Sequence, residues 1–352
     1  MSQTPSSSSD PTRPDDVLPP VTAPSASFLL QLFVIPAIIV LVIVVVWTLL
    51  NRLAHIGGGP EDYIDALRRN NPVRWQAAAS LADDLRRTGS TLRHDEQFAA
   101  KLATLLSDEL DKSEELEKSS SVESETEVRL RAYLASALGE FEVPAGLPVL
   151  IRAAGSQTAP GQLEARLAAL EALAVLASHV PEGALADQQD DLLAVLATAA
   201  DDEQTDVRYR AAFALGVIGG PPAQSVLRQL LLDRSSSHVR YNAAAALARH
   251  GDTRAAPMLI EMLDPEAVVL TASGDEPLSP GDRRQMLDSI QLSGLEAARQ
   301  LLAAGADEQR EELIAAITRL AEHPETGRPV AVKAKDVLAR LGAARSPASA
   351  AP

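Results

Sequence analysis

Two stretches of this chain repeat one another at an offset of 32 residues. They are DVRYRAAFALGVIGGPPAQSVLRQLL (206–231) and HVRYNAAAALARHGDTRAAPMLIEML (238–263). Val207, Arg208, Tyr209, Ala211, Ala212, Ala214, Leu215 and Gly219 recur as Val239, Arg240, Tyr241, Ala243, Ala244, Ala246, Leu247 and Gly251. Ala223, Leu227 and Leu231 recur as Ala255, Leu259 and Leu263, making eleven identities in one register. A unit of this length cannot bury its own apolar stripe, so copies must stack to share a core. The phrase returns more faintly from Val73-Arg74, Leu130-Arg131 and Ala165-Arg166. Its key leucines are 81, 138, 173, 215 and 247, with gaps of 57, 35, 42 and 32 that place insertions at loops.

Each unit reads as two helices. Val207, Ala211, Leu215 and Ile218 are spaced 4, 4 and 3, one face of a helix. Gly219, Gly220, Pro221 and Pro222 end it and turn the chain. Ala223, Leu227, Leu230 and Leu231 form the facing stripe, and Asn71 with Pro72, and Asp206, read as helix caps. Aromatic residues are only 3% of the chain, which disfavours an all-β sandwich. The expected fold is all-α, a solenoid of about six helix pairs over 60–342, closed by a degenerate pair at 313–320 and 332–342.

The pattern V-R-x-x-A-A-x-A-L-G-x-I-G followed by A-x-x-x-L-x-x-L-L resembles the HEAT-like (armadillo-type) repeat family, in the short form of the phycobilin lyases. The resemblance is best at 207–231 and 239–263 and weaker at 73–90, 130–154 and 165–197. It implies a right-handed superhelix of antiparallel helix pairs that serves as a binding surface. It says little about chemistry, because fold does not imply function.

A second feature precedes the array. Phe28 to Leu50, FLLQLFVIPAIIVLVIVVVWTLL, is 23 residues without a charge. As a helix it spans about 34 Å, against a hydrocarbon core of about 30 Å. We expect a single uncleaved transmembrane helix over 28–50. Residues 1–27 form a polar Ser/Pro-rich tail that cannot offset its ordering entropy. Residues 51–59 end in Gly57-Gly58-Gly59, a hinge before Pro60. Arg13 alone precedes the run, whereas Arg52, Arg68, Arg69 and Arg74 follow it, which favours a cytoplasmic repeat domain.

Two insertions interrupt the array. SDELDKSEELEKSSSVESETE (107–127) carries nine acids and two lysines, and reads as a solvated loop or helix extension or as an acidic docking segment. AVVLTASGDEPLSPGD (267–282) reads as a loop, and 343–352 as a disordered tail. The chain's net charge is −16, which disfavours nucleic acid and favours basic protein partners.

Catalytic constellations are missing from the sequence. It has no phosphate loop, no G-x-G-x-x-G, no G-x-S-x-G and no H-E-x-x-H. Without cysteine it has no thiolate nucleophile and no Cys-ligated metal. Iron-binding HEAT-like hydroxylases carry His-Glu pairs, but none of His55, His94, His179, His238, His250 and His323 is followed by Glu. We therefore assign no catalytic, cofactor or metal residue. Arg74, Arg131, Arg166, Arg208 and Arg240 recur once per unit, and pairing with an acid of the adjacent repeat is the favoured reading. The candidate partner-binding face is Arg208, Tyr209, Arg240 and Tyr241, with Trp75 at the equivalent position. The expected function is a membrane-anchored scaffold for protein–protein interaction. The alternatives are a lyase- or chaperone-like protein acting on a chromophore-bearing or other protein, and an envelope structural protein if the array faces outward.

Overall fold

The computed structural model describes residues 35–54, 59–69, 71–119, 124–156, 162–267 and 279–343. The chain divides into two units, Met1–Gly58 and Gly59–Pro352.

In the first unit, helix α1 is Ile35–Ala54. Its side chains from Ile38 to Trp47 are all exposed. Its uncharged part, Ile35 to Leu50, covers about 24 Å, and Asn51 and Arg52 fall in its last turns. Among the described residues no helix is long and apolar enough to cross a membrane. Of the expected 28–50 span, 28–34 lie outside the described residues. The tails 1–27 and 344–352 lie outside them as well.

The second unit is an array of helices in two rows. The first row is α3 (Arg74–Arg86), α5 (Glu125–Gly139), α7 (Gln162–His179), α9 (Thr205–Ile218), α11 (Ser237–Arg249), α13 (Pro280–Ala303) and α15 (Arg328–Ala343). The second row is α2 (Pro60–Arg68), α4 (Glu96–Lys118), α6 (Leu147–Gly155), α8 (Gln189–Ala200), α10 (Gly220–Leu230), α12 (Ala256–Met262) and α14 (Arg310–Glu322). Each first-row helix packs on the next of its row, and each second-row helix packs closely on the first-row helix that follows it. α10 and α12 pack as closely on the first-row helix before them, as the unit read in sequence expects, whereas the other second-row helices pack more closely on the one that follows. α2 opens the array and α15 closes it.

One apolar core runs the length of the array, from Tyr63 to Val337. The repeat phrase builds it directly: Val207, Ala211 and Leu215, and Val239, Ala243 and Leu247, are fully buried. Burial of one such leucine stabilises by about 1.5–3 kcal/mol. Small residues set the spacing within the first row. A Cβ on Gly216 would come within 2.5 Å of the Ala246 Cβ, and one on Gly139 within 2.7 Å of the Ala172 Cα. Any larger residue there pushes two helices apart.

Several boundaries differ from expectation for local reasons. Pro221 and Pro222 do not turn the chain. The turn is made by Gly219 and Gly220, at φ +71° and +83°, and the prolines lie in the first turn of α10, where a missing N–H costs nothing. Asp206 lies inside α9, favoured in its first turn by the helix dipole, and the N-cap is Gln204. Asn71 accepts from the Val73 N–H at 3.0 Å, two residues ahead of α3. The acidic stretch 107–127 is helical as far as Lys118, as the second half of α4. Its Glu109 and Leu110 are buried. The 267–282 stretch ends earlier than read. Ser279 caps α13, accepting from the Asp282 N–H at 3.2 Å, and 268–278 lie outside the described residues.

Candidate functional site: an arginine ladder and the cleft beside it

The repeat arginines stand at the start of the first-row helices. At that end of the array the second-row helices finish, leaving backbone carbonyls without helical partners. A guanidinium there meets the negative end of the helix dipole and the fixed carbonyls together. Arg166, Arg208 and Arg240 use this position in the same way. Arg166 Nε donates to the Ala154 carbonyl at the end of α6 (2.9 Å), and its Nη1 pairs with Asp202 after α8 (2.6 Å). Arg208 Nη1 donates to the Asp202 and Glu203 carbonyls (2.7 and 2.8 Å), and its Nε pairs with Asp233 after α10 (2.8 Å). Arg240 Nη1 donates to the Asp233 carbonyl (2.9 Å), and its Nη2 lies 3.6 Å from Glu261 on α12. Arg74 holds Glu109 of α4 through two parallel bonds of 3.1 and 2.9 Å.

Asp202 and Asp233 each serve two arginines, one through the side chain and one through the backbone. The result is a ladder, Arg166–Asp202–Arg208–Asp233–Arg240–Glu261, that ties successive second-row helices through the first-row helix between them. Pairing with an acid is found, but not with an acid of the adjacent repeat: for Arg166, Arg208 and Arg240 the acid lies on or just after the second helix of the arginine's own unit, and for Arg166 and Arg208 the contact to the preceding unit runs through carbonyls.

Of the four candidate partner-binding residues, only Tyr209 presents its side chain openly, 44% exposed. Arg208 is buried in the ladder, and Arg240 is mostly covered. Tyr241 is buried, and its hydroxyl donates to Glu261 Oε1 at 2.9 Å. The four residues thus do not share one open face, because Tyr241 is turned into the ladder. Trp75 instead stacks on Tyr133, with ring centroids 6.0 Å apart, and Arg129 lies over its ring.

Sequence reasoning missed a cleft of about 390 Å³ beside Arg208, where the C-terminal ends of α8 and α10 meet. Val226, Leu230 and Leu232 form apolar wall, and Asp201, Asp202 and Asp233 supply carboxylates. The signal was Leu232, an exposed leucine beside Asp233. Burial pushes the Asp233 carboxyl up. The Ser235 hydroxyl, the Arg208 guanidinium and the Ser235 amide outweigh this and hold it below the usual carboxylate value. Burial likewise pushes Asp252 up, and Arg228 and the Arg254 amide outweigh it.

Carboxyls depressed in the folded state contribute stability that is complete above their unfolded pKa of about 3.9 and lost as pH falls through the folded values. The melting temperature should hold steady from neutral pH to about 5 and fall steeply below about 4. Thermal melts across that range test this, and Asp233→Asn should reduce the acid-side fall.

Among the described residues no histidine lines the cleft. His250 Nε2 lies 2.9 Å from the Gly216 carbonyl, and burial lowers the His238 pKa. Among the described residues no group of three His, Asp or Glu is placed to hold a metal ion.

Ladder and core together define the class, an all-α solenoid of stacked helix pairs. The family model for HEAT repeats matches residues 190–275, from α8 through α12. No curated protein matches the chain. Among solved structures, an engineered protein is similar at 21% identity over 80% of this chain and 73% of its own, TM-score 0.40. The designed armadillo repeat protein YIII(Dq)4CqI is similar at 18% identity over 80% and 99%, TM-score 0.38. Kap121p is similar at 15% identity, TM-score 0.43, over 80% of this chain, which spans 33% of Kap121p.

Proposed function

We propose that this protein is a membrane-tethered scaffold whose repeat array binds a basic protein partner. The observation that carries the reading is the ladder. The repeat arginines are consumed in holding helices together, so the surface left to a partner is dominated by the acids of a chain of net charge −16. A rigid array with a continuous core offers that surface at little ordering cost. The tether reading rests on the uncharged run from Phe28 to Leu50 and on the exposed apolar side chains Ile38 to Trp47 of α1, which water does not favour. The arginines following the run favour a cytoplasmic array.

The test is affinity capture of the full-length protein from detergent-solubilised native membranes, with a Leu215→Asp chain as control. A basic partner recovered in stoichiometric amount, and lost with the control, is the expected result. Recovery of the protein in the soluble fraction before detergent is added would end the tether reading. Equal recovery of the partner by both chains would end the scaffold reading.

A further inference from the structure

We propose that the cleft between the ends of α8 and α10 receives a lysine or arginine side chain from an extended basic segment of a partner protein. The proposal rests on the scaffold reading above and names where on the array the partner is gripped.

The cleft's shape and lining match the two parts of such a side chain. Its volume of about 390 Å³ admits a long side chain, and Val226, Leu230 and Leu232 offer apolar wall to an aliphatic stem. Leu232 is 77% exposed. One repeat later the same position is Asp264, so stacking does not require a leucine there.

Charge favours a cationic head. Asp202 is occupied by Arg166 and by the Gln204 N–H. Asp233 is occupied by Arg208 and Ser235. Arg208, the cation lining the cleft, is itself spent on Asp233, Ser235 and two carbonyls. Asp201 is left over. It is exposed, and among the described residues its carboxylate has no ion pair or side-chain hydrogen bond. The C-terminal ends of α8 and α10 add their own partial negative charge at the same place. A guanidinium or ammonium is the group that a free carboxylate and two helix C-termini select.

The experiment measures binding of a fluorescein-labelled octalysine peptide to the full-length protein in detergent micelles, by anisotropy at fixed salt. Asp201→Asn and Leu232→Ser should each weaken binding by about fivefold, while Glu312→Gln, the same kind of acid on α14, should change it less than about twofold. All three residues are exposed, and circular dichroism checks that each variant keeps its fold. Equal weakening by all three would mean diffuse attraction to an acidic surface. That overturns the cleft and leaves the scaffold standing. No octalysine binding by the unaltered protein also overturns the cleft. A native partner captured equally well by the Asp201→Asn and Leu232→Ser chains overturns it too, again without touching the scaffold reading.

Discussion

Replacing Leu215 with aspartate should lower the melting temperature of the full-length protein in detergent by about 10 °C or more. Leu215 is fully buried on α9, which packs against α7, α8, α10 and α11. Truncating a leucine at such a position costs about 2–5 kcal/mol through lost burial and an unfilled cavity. A carboxylate placed there adds several kcal/mol of desolvation, or takes up a proton at a comparable cost. The total rivals the 5–15 kcal/mol that stabilises a typical domain. Because stacked repeats lend stability mainly to their neighbours, the loss should centre on α7 to α11 and appear as missing helical signal as well as an earlier melt. A melt that does not move would place Leu215 on the wrong face of its helix.

Arg208→Met should be the next most damaging change. The Arg208 and Asp233 side chains are 11% and 9% exposed, so neither charge has water to fall back on. Removing one partner of a covered ion pair costs about 3–5 kcal/mol, because the other charge stays buried. The Asp202 and Glu203 carbonyls lose their donor as well. The expected drop in melting temperature is roughly 6–12 °C. The same substitution at an arginine facing solvent, such as Arg254, should move the melt by no more than about 2 °C.

Where the repeat phrase is intact, the helices could be read from the sequence with little loss. Val207, Ala211 and Leu215 fall on the buried face of α9, and Gly219 ends that helix where the glycine suggests. Reading failed where the phrase decays. α13 carries Gln291 and Gly294 on its buried face and shows no V-R-x-x-A-A, so its start reads as loop. Leu287, Ile290, Gly294, Ala298 and Leu301 nevertheless keep the helical spacing. α4 was masked by its acids, although Phe98, Leu102, Leu106 and Leu110 recur every fourth residue and are all buried.

The candidate site was half legible. Periodic arginines announced a repeated structural bond, and pairing with acids was anticipated. Their carbonyl contacts could not be read, because they depend on where neighbouring helices end in space. The same is true of Tyr241. Nothing in its local sequence separates it from Tyr209, yet it is buried with its hydroxyl on Glu261 of α12. The cleft arises where two helix ends separated in sequence converge, and no spacing rule predicts that.

Arg166, Arg208 and Arg240 hold the array together instead of facing a partner. The most direct test is a double-mutant cycle on Arg208→Met and Asp233→Asn, read by thermal melts of the full-length protein. Asparagine keeps the acceptor for the Ser235 N–H and removes the charge. Each single change should be destabilising, and the double variant should be less destabilised than their sum, by about 1–3 kcal/mol. Single variants that melt like the unaltered protein, or effects that simply add, would show the ladder to be incidental and return Arg208 to the partner-binding face.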